Sequence, residues 1–255
     1  MRDNILISWE DFIANLIDKS YFHKKQGISY NYSSVVWHLG SLDGDISFIN
    51  KVYPGKEAKK SYLMNAYFNK ESLIRAKQRL SEKKNTSVNI SLINKEKTNT
   101  AQDHCMVSMV VFKENKKYRA TIFYRTTELC RKFLFDLKFI QEEILTTLEI
   151  PNCDITFMFA KLTISYAFLH TPFLLDSEYI HTLKLSPLGR EFWEGYLQYL
   201  NKMLLIKQRG STLKSHWRHF QTFKNSEVFP VVMKYLEGIS YAGTNRFSNK
   251  DTSES

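Results

Sequence analysis

Hydrophobic positions recur along the chain with two different periods, and together they predict a mixed α/β fold. Spacing near 3.6 residues predicts helices, whereas alternation or β-branched apolar runs predict strands. Helical spacing occupies residues 8–17, 28–39, 62–82, 129–148 and 187–206, and the strand-like runs occupy 88–93, 105–112, 118–125 and 154–170. Two helix starts carry capping signals. They are Ser8 with Asp11 three residues later, and Ser186 followed by Pro187.

The runs 105–112 and 118–125 flank the polar turn KENKK and predict a β-hairpin. In such a hairpin Cys105, at the start of one strand, lies opposite Arg125, at the end of the other. A guanidinium beside a thiol favours the nucleophilic thiolate and can also bind a phosphate in bidentate fashion. The alternative is a buried structural thiol beside a surface charge, and the pattern alone leaves both interpretations open.

The composition is that of a globular chain, with 255 residues of which 43% are hydrophobic. No repeat or linker interrupts it, so we expect one domain over residues 1–243 and a flexible tail over 244–255. No window reaches the roughly 18 apolar residues that span a bilayer, and the N-terminus lacks a signal-peptide pattern. The cysteines, Cys105, Cys130 and Cys153, show no metal or disulfide spacing. These features predict a cytoplasmic protein without a metal or a membrane partner.

A formal net charge of +10 suggests an anionic partner or a solvated lysine-rich surface. Residues 214–224, KSHWRHFQTFK, mix aromatic and basic side chains and, with the lysines of 51–84, are compatible with nucleic-acid binding. The same composition also describes an amphipathic helix that turns Trp217, Phe220 and Phe223 inward.

Residues 105–140 resemble the active-site core of thymidylate synthase and its relatives, the pyrimidine nucleotide hydroxymethylases. The family has a cysteine, a strand, a turn, a second strand ending in an arginine, an aspartate, and a helix that opens with Pro-Phe-Asn. The corresponding motifs here are Asp-His-Cys-Met (103–106), Tyr-Arg-Thr (124–126), Glu128 and Leu-Phe-Asp (134–136). Residues 33–45 and Leu-Thr-Ile-Ser-Tyr (162–166) resemble two further family motifs more loosely. The resemblance implies a thymidylate synthase-like mixed sheet flanked by helices, in a homodimer formed through the sheet.

The resemblance also implies residue roles. Cys105 matches the nucleophile that attacks C6 of the pyrimidine, and Arg125 and Thr126 match residues that bind the nucleotide phosphate. Tyr166 matches a tyrosine that holds the sugar hydroxyl. The cofactor implied is 5,10-methylenetetrahydrofolate. The residues that match its surroundings are Glu128 and Trp37.

Asp136 stands where the family's asparagine reads the edge of uracil, and an aspartate there matches the relatives that prefer cytidylate. A carboxylate accepts a hydrogen bond from the cytosine amino group, whereas an amide both donates and accepts. The alternative is an aspartate that caps or solvates the first turn of a helix.

Several family residues are missing. The family's glutamate general base corresponds to Ser34, and its arginine pair falls near Thr86 and Ser87. Three hypotheses follow. The first is an altered enzyme that modifies C5 of a pyrimidine nucleotide, and the second is a binding or scaffold module without catalysis. The third is a nucleic-acid binder.

Overall fold

The computed structural model of the chain describes residues 4–18, 24–26, 28–42, 44–49, 69–82, 87–92, 105–114, 117–176, 178–206 and 214–247. It divides into two compact units. Unit 1 comprises residues 1–9 and 31–163, and unit 2 comprises residues 10–30 and 164–255. Compactness does not by itself define an independently folding domain. The single domain over residues 1–243 therefore stays a prediction.

A mixed six-stranded sheet runs through the described residues, in the order β1-β2-β6-β5-β4-β3. Its strands are β1 Lys24–Gln26, β2 Ser29–Ser41, β3 Ser87–Ser91, β4 Met106–Glu114, β5 Lys117–Glu128 and β6 Cys153–Ser165. The pairs β3–β4 and β4–β5 are antiparallel, whereas β5–β6 is parallel. The predicted hairpin and the α/β class, a mixed sheet with helices, are thus confirmed.

The parallel pair needs a crossover, and helix α3 supplies it. This helix begins as Lys132–Phe139, continues through a π-helical segment, Ile140–Leu145, and ends in the turn Thr146–Leu148. The other described helices are α1 Asn4–Asp18, α2 Lys70–Ser81, α4 Thr171–Leu175, α5 Pro187–Leu205, α6 Lys214–Lys224 and α7 Val228–Phe247, with a 3₁₀ turn at Tyr179–Thr182.

The core of unit 1 is an aromatic cluster between α3 and the sheet. Phe133 of α3 makes edge contacts with the rings of Tyr124 on β5 and of Phe157 and Phe159 on β6, at centroid distances of 5.0–5.8 Å. All four side chains are at most 2% exposed. Burial of such large apolar surfaces is the dominant favourable contribution to folding, and it fixes α3 on this face of the sheet.

The opposite face of the sheet keeps apolar side chains at its surface. Because side chains alternate along a strand, Phe123 and Met158 project away from Tyr124 and Phe157. They are paired in register across β5 and β6. Met158 is 38% exposed and Val36 of β2 is 47% exposed. We call this the open face, defined by Val36, Val110, Phe123 and Met158.

Unit 2 has its own aromatic core around Tyr166. The Tyr166 hydroxyl donates to the Phe192 carbonyl oxygen at 3.0 Å, and its oxygen lies 2.8 Å from that of Tyr30. Helix α5 begins where the sequence predicts, because the Ser186 hydroxyl accepts from the Gly189 N–H at 3.1 Å and Pro187 occupies the first turn.

Three sequence predictions about local structure are wrong. Residues 28–39 do not form a helix but most of strand β2, where alternating burial of Tyr30 and Tyr32 accounts for the apolar positions. Ser8 does not cap a helix, since α1 already includes Asn4. The first residues of the predicted tail, 244–247, are the last turn of α7, while residues 248–255 lie outside the described residues.

Candidate functional site

The hairpin brings Cys105 and Arg125 together as the spacing predicts. The Arg125 N–H donates to the Cys105 carbonyl oxygen at 2.9 Å, one position beyond the register pair Met106–Tyr124. Arg125 is exposed and Cys105 is partly exposed. A β-bulge lies immediately after, between Met106 and Ser108, and ends the regular ladder at this point. A partly exposed thiol and an exposed cation therefore lie on directly neighbouring backbones.

The other two cysteines lack the exposure that reactivity requires. Burial and the nearby Glu128 carboxylate raise the pKa of the Cys130 thiol well above its ordinary value. Burial, with Asp154 beside it, raises the pKa of Cys153 to about 12. Both thiols stay protonated at neutral pH and have no exposed surface. Among the cysteines of this chain, only Cys105 has access to a ligand.

Asp136 lies inside unit 1, on the first turns of α3, and is 4% exposed. Desolvation raises its pKa to about 8, although Lys132 and the Tyr124 hydroxyl act in the opposite direction. The carboxyl group is therefore mostly neutral at pH 7. Its Oδ2 atom is buried and has no hydrogen-bond partner among the described residues. Capping or solvation of the helix does not describe a side chain so placed.

Asp136, on α3, and Arg125, on β5, lie on opposite sides of strand β5. Asp136 acts on Tyr124, which packs under α3, whereas Arg125 follows Tyr124 in the strand and projects from the opposite face. The register ladder ends close by, at Glu128. A ligand that contacts both residues must therefore pass the end of the strand.

Trp37 is not placed as the resemblance implies. It sits on a strand, is 6% exposed, and contacts the rings of Phe133 at 5.6 Å and Phe157 at 5.5 Å. Ser34, three residues earlier, is exposed and has a left-handed φ of 55°. The burial alternation of β2 inverts across Ser34, from even residues such as Tyr32 to the odd residue Trp37. The helical motif that carries the glutamate in the family is a bulged strand here.

Thr126 and Glu128 continue β5 beyond Arg125, and both are partly exposed. Glu128 Oε1 accepts from the Cys130 N–H at 3.2 Å, and its Oε2 is buried. Thr126 pairs in register with Lys161 of β6, an exposed cation that the sequence comparison missed. Only the parallel pairing of β5 and β6, which joins residues distant in the sequence, reveals it.

Tyr166, the predicted sugar ligand, lies in unit 2 and is 3% exposed. Its hydroxyl is held by Phe192 and Tyr30, and its ring contacts those of Tyr196 and Tyr199 at 5.6 and 5.9 Å. These contacts describe a packing residue.

The remaining candidates from the sequence are the residues for nucleic-acid binding and the positions of the family's arginine pair. Phe220 and Phe223 of α6 have no exposed surface, which removes them as stacking platforms for nucleic acid. Ser87 is exposed at the start of β3, whereas Thr86 and most of the lysine-rich stretch 51–84 lie outside the described residues. In the described residues, no group of three His, Cys, Asp or Glu side chains is arranged to hold a metal, and no helix is long and apolar enough to cross a membrane.

Comparisons with known proteins find similarity to solved structures. No protein-family model matches the chain, and no curated protein matches it. The solved structures to which it is similar include thymidylate synthase from T4 phage, with a TM-score of 0.39 and 10% sequence identity over 62% of this chain and 76% of that chain. Similarity at this level assigns neither a family nor the role of any residue.

Proposed function

We propose that the chain binds a pyrimidine nucleotide, preferentially cytidylate, and that Cys105 adds to C6 of the bound base so that C5 becomes open to modification. The observation that carries this proposal is the hydrogen bond between the Arg125 N–H and the Cys105 carbonyl oxygen. It places the backbone of the only cysteine with exposed surface directly beside that of Arg125, whose guanidinium suits both a thiolate and a phosphate. By the same alternation, the Thr126 hydroxyl and Lys161 lie on the Tyr124 side of the sheet, so they contact a phosphate held by Arg125 only around the end of the strand.

The chemistry balances without an external oxidant or reductant. The Cys105 thiolate forms a bond to C6, and the electrons of the C5–C6 double bond move to C5, which takes up a proton from solvent. Loss of the original C5 proton to solvent and expulsion of the sulfur restore the double bond and the free thiolate, so that the net reaction is exchange of the C5 hydrogen. Arg125 stabilises the thiolate before attack and orients the phosphate, so that the sulfur is aligned with C6.

Asp136 is the candidate for recognition of the base. As a neutral carboxyl it presents one donor and one acceptor, which together complement N3 and the 4-amino group of cytosine. An ionised Asp136 carboxylate, as the sequence suggests, would only accept hydrogen bonds. With a pKa of about 8, the group instead resembles the family's amide in its hydrogen-bonding capacity at pH 7.

The residues that match the folate surroundings do not suit a folate. Trp37 packs in the aromatic core, and the Glu128 carboxylate receives the Cys130 N–H. The proposed reaction therefore has no step that uses 5,10-methylenetetrahydrofolate. The methyl or hydroxymethyl transfer that the resemblance implies stays outside the proposed mechanism.

Addition to C6 is tested directly by incubating the protein with 5-fluoro-dCMP or 5-fluoro-dUMP and measuring intact mass. We expect a covalent adduct that maps to Cys105. With dCMP or CMP in D₂O, we expect exchange of the C5 hydrogen, detected by loss of its proton NMR signal. Cys105→Ser abolishes both results, and Arg125→Gln reduces both with a raised nucleotide KM. A protein that shows no adduct, no exchange and no thermal stabilisation by any pyrimidine nucleotide refutes the proposal.

A nucleotide-binding or scaffold module without catalysis is the second candidate, and the exposed Ser34 on a bulged strand favours it. A hydroxyl there does not act as the missing general base. The open face supports the homodimer part of this candidate, because two such faces can bury Phe123 and Met158 against each other. Thermal stabilisation by nucleotide that persists in Cys105→Ala, with no C5 exchange in the wild type, selects this candidate over the enzyme.

A further inference from the structure

Two histidines in the core of unit 2 form a stacked pair that the proposed function does not use. His170 precedes α4 and has no exposed surface, while His219 of α6 is 8% exposed. Their rings stack with centroids 4.3 Å apart and planes at 30°. Phe223, one turn after His219 on α6, also stacks on His170, at 4.6 Å and 10°. The ring of His170, at the start of α4, thus packs against two rings of α6.

The hydrogen bonding of this pair is incomplete. Neither ring nitrogen of His170 has a well-formed hydrogen bond in the described residues, although the His219 backbone lies near enough to favour a protonated ring slightly. His219 Nε2 lies 3.1 Å from the Thr171 hydroxyl oxygen, a contact that either protonation state of His219 can keep. A neutral His170 ring tolerates this environment as an aromatic surface, whereas an imidazolium would be buried without a counter-charge.

The charged group that acts on His170 does not compensate a proton added to its ring. His219 is the only ionisable group of the described residues that acts on His170, and its own charge would repel a second one. The side chains in hydrogen-bond or ring contact with the pair include the neutral Thr171, Phe168 and Phe223. His216 of α6, a further titratable ring, contacts Phe168 at 5.3 Å and carries no negative charge. Burial, and to a smaller extent His219, lower the pKa of His170 well below its ordinary value, against a weak opposing effect of the His219 backbone.

We propose that the His170–His219 stack is an acid-operated latch, which holds α6 on the segment before α4 while both rings are neutral and releases α6 when they take up protons. The direction follows from linkage. Because the folded pKa of His170 lies below its unfolded value, the unfolded segment binds more protons below about pH 6.5, so stability is lost as the pH falls. Protons come from solvent, and no other reactant is required.

Amide hydrogen exchange of the full-length protein tests the latch, read by mass spectrometry over 214–224 and corrected for the intrinsic pH dependence of exchange. For one linked proton with an unfolded pKa of 6.5, we expect the opening equilibrium to rise about 16-fold between pH 6.5 and pH 5.0. His170→Phe, which keeps the ring stack, should remove that rise. His181→Gln, a change at an exposed histidine of the same unit, should retain it.

Two outcomes overturn the latch. One is a His170→Phe variant whose 214–224 segment keeps the full acid-dependent rise. The other, independent of whether that variant folds, comes from NMR titration of the wild-type histidine rings. A His170 signal that titrates near pH 6.5 while the exchange of 214–224 stays constant shows that protonation does not release α6.

Discussion

The hydroxyl of Tyr166 occupies the space that a β-carbon at Gly195 would need. Gly195 lies on α5, and a methyl group there would overlap the Tyr166 oxygen well inside van der Waals contact. The glycine is therefore required by packing, in a helix that would otherwise prefer alanine.

Gly195→Ala tests this relationship. Although alanine adds about 1 kcal/mol of helix propensity, overpacking costs about 1–3 kcal/mol, so we expect a net loss of stability. Tyr166→Phe in the Gly195→Ala background should recover part of that loss, measured as a positive coupling in a urea double-mutant cycle. Gly238→Ala, where an added methyl group meets no atom within 4 Å, should stabilise the protein instead. Additive effects of the two core changes would contradict the overlap.

Asp136→Asn should change how stability depends on pH. The folded pKa of Asp136, about 8, lies above the unfolded value of 3.8, so the folded state retains a proton that the unfolded state releases between these values. Stability therefore falls as the pH rises through this window, by up to about 1.4 kcal/mol per pH unit. Relative to wild type, the Asn variant should gain stability from pH 5 to pH 8 in urea denaturation. Parallel curves for the two proteins would show that Asp136 is not neutral in the fold.

Because of the Asp136 carboxyl group, we also expect the affinity for nucleotide to depend on pH. If a neutral Asp136 recognises the base, ionisation near pH 8 removes its donor, and CMP or dCMP should bind the wild type about tenfold more weakly at pH 9 than at pH 7. Asp136→Asn keeps its donor and should hold a nearly constant affinity by calorimetry. A wild-type affinity that does not change over this range would exclude Asp136 from the base site.

Ser34→Val should destabilise unit 1 by about 1–2 kcal/mol, because a β-branched residue adopts a left-handed φ at high cost. Ser33→Val is the matched control, since Ser33 is adjacent in the strand, is also exposed and does not have a positive φ. Ser34→Gly should be neutral or stabilising in chemical denaturation. Equal effects of the two valine substitutions would mean that the bulge is not rigid.

Met158→Asp tests the open face. If two copies pair through this surface, a charge at its centre should convert a dimer to a monomer in analytical ultracentrifugation. Ile74→Asp, at an exposed apolar position of α2, should leave the mass unchanged. A wild-type protein that is monomeric at high concentration would remove the homodimer proposal.

Local patterns in the sequence predicted more of the fold than of the site. Alternation in 105–125 and the cap at Ser186 are properties of neighbouring residues, and both are confirmed. Strand β2 was predicted as a helix because its bulge at Ser34 places Tyr32 and Trp37 five residues apart on the buried side, a spacing that strict alternation does not produce. The burial of Trp37 and Tyr166, and the pairing of Thr126 with Lys161, depend on contacts between distant segments.

The parallel junction between β5 and β6 has a kinetic consequence. Glu114 and Lys117, three residues apart, are paired in register, whereas Tyr118 can pair with Cys153 only after the whole of α3 has crossed the sheet. Local contacts close at a smaller entropic cost than distant ones. The β4–β5 hairpin is thus expected to assemble early on the folding pathway, with the zipping of β6 onto its edge as the slow event.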